Sequence, residues 1–318
     1  MTPDLRLDLG RMSLANPVLV AAGTFGYGLE FAQTVPIDRL GAIITKTLTR
    51  LPRQGNPPPR LAETSSGMLN AVGLQNMGLD AFLRTKLPAL QPFRVPLIVS
   101  ILGETPEELA GMVEDLDRAE GVEGIELNLS CPNVHRRAAP GNGGQSLVPS
   151  IVAQDPEATE AMVRMARQRT GKTLIAKLSP EVTDITPVAQ AAERAGADVL
   201  SLVNTFIGMS IDTVTRRSRL GTLTGGLSGP AIRPLALFRV WYTARTVRIP
   251  VIGIGGIVRA EDAIEFFLAG ATAVAVGTGN FADPRTPLRV LDGLQRYLRR
   301  CGANSVEEIR GSVALPGS

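Results

Sequence analysis

Cysteine occurs only 2 times in 318 residues. That is too few for a disulfide framework, and it agrees with a reducing compartment. Histidine is scarcer still, with His135 alone. A metal centre wants several His, Cys or carboxylate ligands at close spacing, and no such group occurs. A Ser-His-Asp hydrolase would have to use this one histidine, inside a basic loop and without a nucleophile elbow. Aromatic residues make up 4% of the chain and the net charge is +3. The arginine-rich excess is scattered, with no aromatic-laced basic stripe, so nucleic acid is not the expected partner. No apolar run reaches the roughly 18 residues of a membrane span. The first ten residues interleave acids with apolar residues and lack the apolar core of a signal peptide. A cytoplasmic protein with no membrane contact is the expectation. Gly-x-Gly-x-x-Gly is missing from any Rossmann setting. Its nearest approach, Gly253-Ile-Gly-Gly256, runs on into Ile257 and Val258, so no nicotinamide-binding domain is expected. No linker, repeat or low-complexity tract divides the chain, which predicts one domain over 1–318.

What is present points to a parallel sheet. Eight short apolar runs recur: 17–23, 42–48, 96–102, 124–130, 173–179, 199–204, 250–256 and 273–278. Continuous apolarity over so short a length predicts strands buried on both faces. Between them lie amphipathic segments at 105–118, 155–170, 184–195, 231–247, 261–269 and 286–300. Several start as helices do, with Thr105-Pro106, Asp155-Pro156 and Thr186-Pro187. The predicted class is α/β, a (β/α)8 TIM barrel with loop insertions over its C-terminal face. One insertion, 60–78, is expected to form a hairpin over the mouth. The other, 206–229, is expected to be a lid or binding loop. Trp241, Phe266, Phe267 and Cys301 lie on helical stretches and are expected to pack.

Polar residues gather at the C-terminal ends of these strands, where barrels carry their chemistry. Lys46 and Thr47 end the second, and Asn128, Ser130 and Cys131 the fourth. Lys177 and Ser179 end the fifth, and Asn204 and Thr205 the sixth. A lysine in an apolar strand is costly without a partner, so two at equivalent ends mark function more readily than packing. Gly255-Gly256 and Gly277-Thr278 end the seventh and eighth. Their amides form the phosphate-site pattern of such barrels. In Ser130-Cys131-Pro132-Asn133 one thiol stands next to a proline between two amides, Asn128 and Asn133.

These residues resemble class 1 dihydroorotate dehydrogenases, flavin barrels of pyrimidine synthesis. The likeness runs nearly the whole chain. It rests on Ala22-Gly-Thr-Phe-Gly-Tyr-Gly28, Thr45-Lys-Thr47, Asn70-Ala-Val-Gly-Leu-Gln-Asn76, Asn128-Leu-Ser-Cys-Pro-Asn133 and Lys177-Leu-Ser-Pro180. Val203-Asn-Thr205, Gly225-Gly-Leu-Ser-Gly-Pro230, Gly253-Ile-Gly-Gly-Ile257 and Gly277-Thr278 extend it. The stretch around Asn70 is most similar to the NAD-linked subclass 1B, whose FMN subunit pairs with one carrying FAD and an iron–sulfur cluster.

The resemblance implies that FMN sits at the mouth with its phosphate on Gly255, Gly256, Gly277 and Thr278. Ala22, Thr47, Ser100, Asn128, Val203 and Gly229 would also hold it. Lys177 would face its N1/O2 edge, and Lys46 would touch both flavin and substrate. Dihydroorotate would stack on the ring and leave as orotate. Cys131 would take the C5 proton while hydride leaves C6 for flavin N5. Asn70, Asn128, Asn133 and Asn204 would clamp the pyrimidine, with Val72, Gly73, Leu74 and Thr205 completing the pocket. Asparagine suits the task because its amide both donates and accepts. A homodimer, or a heterotetramer with the electron-transfer subunit, follows from the same likeness.

Three departures accompany it. The segment 135–146 is longer and more basic than expected, Ser100 stands where asparagine is common, and Glu181 replaces an asparagine in what is expected to be a surface change. A related flavin barrel acting on another dihydropyrimidine, as in dihydropyrimidine dehydrogenase, is the nearest alternative. There histidine usually follows Cys-Pro, whereas Asn133 favours a carboxylate-bearing pyrimidine. A phosphosugar isomerase or synthase on the same barrel would need strand-end carboxylates. The electron acceptor, whether NAD through a partner, fumarate or another carrier, stays open.

Overall fold

The computed structural model describes residues 3–130, 151–314 and 317. Eight parallel strands close into a barrel: β1 (Val18–Val20), β2 (Ala42–Ile44), β3 (Leu97–Ile101), β4 (Gly124–Asn128), β5 (Thr173–Lys177), β6 (Val199–Leu202), β7 (Val251–Ile254) and β8 (Ala273–Val276). Each pairs with its neighbour in sequence, and β8 returns to β1 through Val274↔Val18. Every strand lies inside one of the eight apolar runs. Most runs overshoot at their C-terminal ends, because there the chain turns outward. After β4, for example, the Leu129 amide donates back to the Leu127 carbonyl at 3.0 Å.

Alternation along each strand divides the core in two. One set faces the helices, such as Ile125 and Leu127 of β4. The other fills the barrel, including Leu19, Ile44, Ile98, Ile175, Val199 and Ile252. A hairpin, Leu7–Leu9 with Met12–Leu14, plugs the N-terminal end by adding Leu9, Met12 and Leu14 to that interior cluster. Its turn needs Gly10, held at φ +65, because a two-residue hairpin takes left-handed backbone there.

The helices obey their sequence signals with instructive exceptions. Thr105 Oγ1 accepts from the Glu108 amide at 3.1 Å, and Asp155 Oδ1 from Glu157 at 2.9 Å. Thr186, however, is the first residue of its helix, Thr186–Arg194. Asp184 Oδ1 accepts from its amide at 2.9 Å. A helical stretch that the apolar pattern did not mark spans residues 79–90, with a π turn over Phe82–Lys86 just before Pro88. Among the described residues no helix is long and apolar enough to cross a membrane.

Phe266 and Phe267 are fully buried, as expected. Trp241 is not a core residue. It is half-buried beside Phe238 and Tyr242, at centroid distances of 6.2 and 6.5 Å, on the outer side of Arg233–Ala244. Cys301 is exposed rather than packed, since the last helix ends there and turns it outward. The Phe266 ring fills the space that Gly253 leaves empty: a Cβ on Gly253 would stand 2.6 Å from its Cδ1. Phe266→Ala should therefore cost about 3–5 kcal/mol of stability, read as a lower midpoint in urea unfolding with an unchanged slope.

The two insertions meet. Leu61–Thr64 and Gly67–Asn70 form the expected hairpin. Gly225–Ser228 of the second insertion adds to its edge, and Phe206–Gly208 lies beyond, giving one antiparallel four-stranded sheet. The approach is close: a Cβ on Gly67 would meet the Ser228 carbonyl oxygen at 2.0 Å.

Candidate active site

Between this sheet and the barrel's C-terminal ends lies a cavity. Its floor comes from strand ends, with Lys46 and Thr47 after β2, Asn128 on β4, Lys177 on β5, Val203 and Asn204 after β6, and Gly255 and Gly256 after β7. Ala22, Gly277 and Thr278 close one side. Asn70, Val72, Gly73, Leu74, Thr205 and Gly229 come from the two insertions and their joints. Leu74 is one of only two described non-glycine residues with positive φ, at 56°, directly after Gly73 at 73°.

The amides are tied to one another. Asn128 Nδ2 donates to Thr47 Oγ1 at 3.0 Å. Asn204 Nδ2 donates to Ser130 Oγ at 2.9 Å and to the Ser130 carbonyl at 3.1 Å, while Asn204 Oδ1 accepts from the Thr205 amide at 2.8 Å. Asn70 Nδ2 reaches the Gly226 carbonyl at 3.2 Å. Gly226 allows this: a Cβ there would stand 2.1 Å from Thr205 Oγ1. The end of β4 is thereby held by β6 and β2, and Ser130 is anchored at the last described position before Cys131.

Charge in the cavity has one sign. Among the described lining residues only Lys46 and Lys177 are charged, and no carboxylate joins them. Lys177 is 6% exposed, and its ammonium finds no carboxylate within ion-pair distance among the described residues. Such a cation calls for an anionic or electron-rich guest. Tyr27 borders the adjoining groove that shares Lys46. Burial pushes its hydroxyl above the ordinary tyrosine range, so it stays protonated near neutral pH. No cluster of three or more metal-binding side chains occurs among the described residues.

The far end of the cavity is built of backbone. Gly229, Gly255 and Gly256 have φ of 94, 137 and 71°. No described group accepts from the amides of Gly256, Gly277 or Thr278. The Thr278 hydroxyl donates to Ser228 Oγ at 2.8 Å. Partnerless amides converging beside hydroxyls fit a phosphate, and a Cβ at Gly256 would fill the cradle, lying 2.9 Å from the Gly229 oxygen. The described residues therefore fit a nucleotide cofactor whose phosphate takes the backbone donors at this end.

Most residues marked in the sequence come together here. Ser100 differs: it is fully buried and does not line the cavity, because its Oγ lies 3.0 Å from Thr47 Oγ1 and is spent behind it. Cys131, Asn133 and the 135–146 segment lie outside the described residues. Met68, Leu61, Ser228 and Phe281 also line the cavity and were not singled out. Ser228 lies within the Gly225–Pro230 motif, Leu61 and Met68 show themselves only when the insertions fold over, and Phe281 comes from the short helix Gly279–Ala282 after β8. Glu181 is more than a surface change. Its Oε1 accepts from the Ile207 amide at 2.7 Å and its carbonyl from Gln154 Nε2 at 2.8 Å, joining the loop after β5 to the inserted sheet.

A model of the family described as dihydroorotate dehydrogenase matches residues 5–298. A protein of Geotalea uraniireducens named dihydroorotate dehydrogenase B (NAD(+)), catalytic subunit, is 49% identical over 311 residues, covering 98% of each chain. Proteins of the same name from Geobacter metallireducens and Geobacter sulfurreducens are each 49% identical over 313 residues, covering 98% of this chain and 99% of theirs. The chain belongs to the dihydroorotate dehydrogenase family, flavin oxidoreductases of pyrimidine biosynthesis that oxidise dihydroorotate.

Proposed function

We propose that this chain is the FMN-bearing catalytic subunit of an NAD-linked dihydroorotate dehydrogenase, a single domain in which Cys131 acts as the general base. The observation that carries this reading is one cavity that holds a buried Lys177 with no ion-pair partner among the described residues, together with three backbone amides that no described group accepts from. Bound there, FMN supplies the two-electron acceptor that takes hydride from C6 of dihydroorotate at its N5.

The chain's own residues do the rest. Gly255, Gly256, Gly277 and Thr278 hold the phosphate through backbone donors, which suit a dianion. Ala22, Thr47, Val203 and Gly229 pack against the nucleotide, and Ser100 acts through Thr47. Lys177 offers a fixed cation where negative charge gathers on reduction, an effect strongest in a water-poor site. Asn70, Asn128, Asn133 and Asn204 clamp the pyrimidine and its carboxylate, with Val72, Gly73, Leu74 and Thr205 around it and Lys46 touching both flavin and substrate. Cys131, joined to the anchored Ser130, takes the proton from C5.

The relatives are named as catalytic subunits of NAD(+) enzymes. By that likeness this chain passes electrons to a partner subunit carrying FAD and an iron–sulfur cluster. It would act as a homodimer or as a heterotetramer with that partner.

An ordinary thiol has pKa about 8.5, so only a few per cent is thiolate at neutral pH. The purified chain should therefore be yellow and bleach anaerobically with dihydroorotate, at a rate that rises toward alkaline pH and levels as the thiol ionises. Stopped-flow absorbance checks this. Dihydrouracil should not bleach it, and NAD should reoxidise it only with the partner present. A colourless folded chain that takes up no FMN would refute the proposal.

A further inference from the structure

One buried group in the barrel has no role in the chemistry above. Glu126 lies in the middle of β4, is fully buried, and neither carboxylate oxygen has a hydrogen-bond partner among the described residues. Its direction follows from alternation: Ile125 and Leu127 belong to the helix-facing core, and Asn128 lines the cavity. Glu126 therefore points into the barrel, one layer beneath the cavity floor. Its companions there are apolar, among them Ile44, Ile98 and Ile175. A carboxylate so placed is untenable without a compensating charge or proton.

Register brings that charge close. Glu126 pairs with Ile175 of β5 and Asn128 with Lys177, so Glu126 and Lys177 are diagonal neighbours on one inner face. A strand spacing of about 4.8 Å and a two-residue rise of about 6.6 Å set their Cα atoms about 8 Å apart, a gap a glutamate and a lysine can close, directly or through one water. On the other side of Lys177, in register with it, is Ser201. Its hydroxyl is also buried and without a partner. Ser100 stands opposite Glu126 on β3, with its hydroxyl committed to Thr47. The remaining inner-facing residues of the eight strands are uncharged, and among the described lining residues Lys46 beyond β2 is the other cation.

We infer that Glu126 is the internal counter-charge of Lys177: a positioning residue that keeps the ammonium charged and upright beneath the cavity, with Ser201 as the third member. Its consequence for catalysis rests on the reading of the cavity as a flavin site. Lys177 would share its charge with Glu126 before reduction and lend it to the N1/O2 edge afterwards. The carboxylate thus guarantees a cation where electron density arrives, without touching flavin or substrate itself.

The pair is tested first in flavin-free full-length protein. Competitive acylation with acetic anhydride, read by mass spectrometry, reports the neutral fraction of each lysine. An opposite charge at close range disfavours the neutral amine, which is the form that acylates. Glu126→Gln should therefore raise acylation of Lys177 about 10-fold or more at fixed pH, with Lys86 as the internal standard. An unchanged Lys177-to-Lys86 ratio overturns the inference. Infrared spectroscopy gives the reciprocal reading. Lys177→Met should make Glu126 take up a proton, seen as a protonated-carboxyl band that the Lys177→Met/Glu126→Gln double variant lacks. No such band in Lys177→Met, or the band already present in the wild type, also overturns it. In the FMN-loaded protein, Glu126→Gln should lower the midpoint potential progressively as pH rises. A potential that tracks the wild type would refute the effect on flavin. Failure of either wild type or variant to bind FMN would refute the cavity assignment instead, while acylation still decides the pair.

Discussion

Cys131→Ala will keep its flavin and lose its reaction: reduction by dihydroorotate should slow roughly 100-fold or more, the scale of a lost acid–base group. The expectation rests on the motif that carries the family resemblance, and the described cavity is consistent with it. Proton removal from C5 needs a base in contact with substrate, and the described cavity offers no carboxylate and no imidazole. Tyr27 is held protonated by burial. Lys177 has the proposed role of a cation rather than a base. Ser130, the residue before Cys131, is anchored by Asn204 through two hydrogen bonds. Stopped-flow reduction under anaerobic conditions is the measurement, and the alkaline rise in rate should vanish with the thiol. Cys301→Ala should match wild type, since that residue is exposed on the last helix. Reduction of Cys131→Ala at the wild-type rate would end the assignment.

Gly256→Ala should release the cofactor. Its φ of 71° lies in the left-handed region, where a Cβ costs about 1–2 kcal/mol. Space is short as well: the new carbon would stand 2.7 Å from Arg233 Cβ and 2.9 Å from the Gly229 oxygen. A backbone oxygen cannot swing aside, so the loop after β7 must shift and take its amide with it. Losing one charge-assisted hydrogen bond costs about 1.5–3 kcal/mol. With the strain added, FMN affinity should fall roughly 100-fold, measured by fluorescence as flavin is titrated into apoprotein. Gly302→Ala is the control. Gly302 shares the backbone conformation, at φ 73°, but nothing lies within 4 Å of its missing Cβ. It should bind FMN normally. A folded Gly256→Ala protein with wild-type affinity would show that the phosphate rests elsewhere.

Both variants act on residues that the sequence exposes plainly, and the ease of finding them has a physical basis. Parallel strands in a barrel are buried on both sides, so each appears as an unbroken apolar run whose end is the first place polarity is tolerated. Lys46, Asn128, Lys177 and Asn204 stand out against that background, as do the glycines that close β7 and β8. Thr105 and Asp155 mark helix starts because a cap needs only its own next turn.

Other features depend on partners far along the chain. The edge where Gly225–Ser228 meets Gly67–Asn70 joins segments that are both short and glycine-rich, and neither carries a periodicity naming the other. Ser100 shares the inner face with cavity residues, yet its hydroxyl is consumed by Thr47. Glu181 and Ile207 meet across a turn of backbone that composition does not encode. Trp241 has a core residue's chemistry and a surface position.

The sequence by itself determined the eight strands, their order, most of the helices and the identity of the polar groups at the mouth, because these follow from local burial and turn chemistry. Tertiary structure alone decided how two insertions become one roof, which hydroxyl is spent, and that a carboxylate on β4 sits diagonal to the lysine on β5. Those depend on closure of the barrel, which fixes register between residues that no local pattern connects.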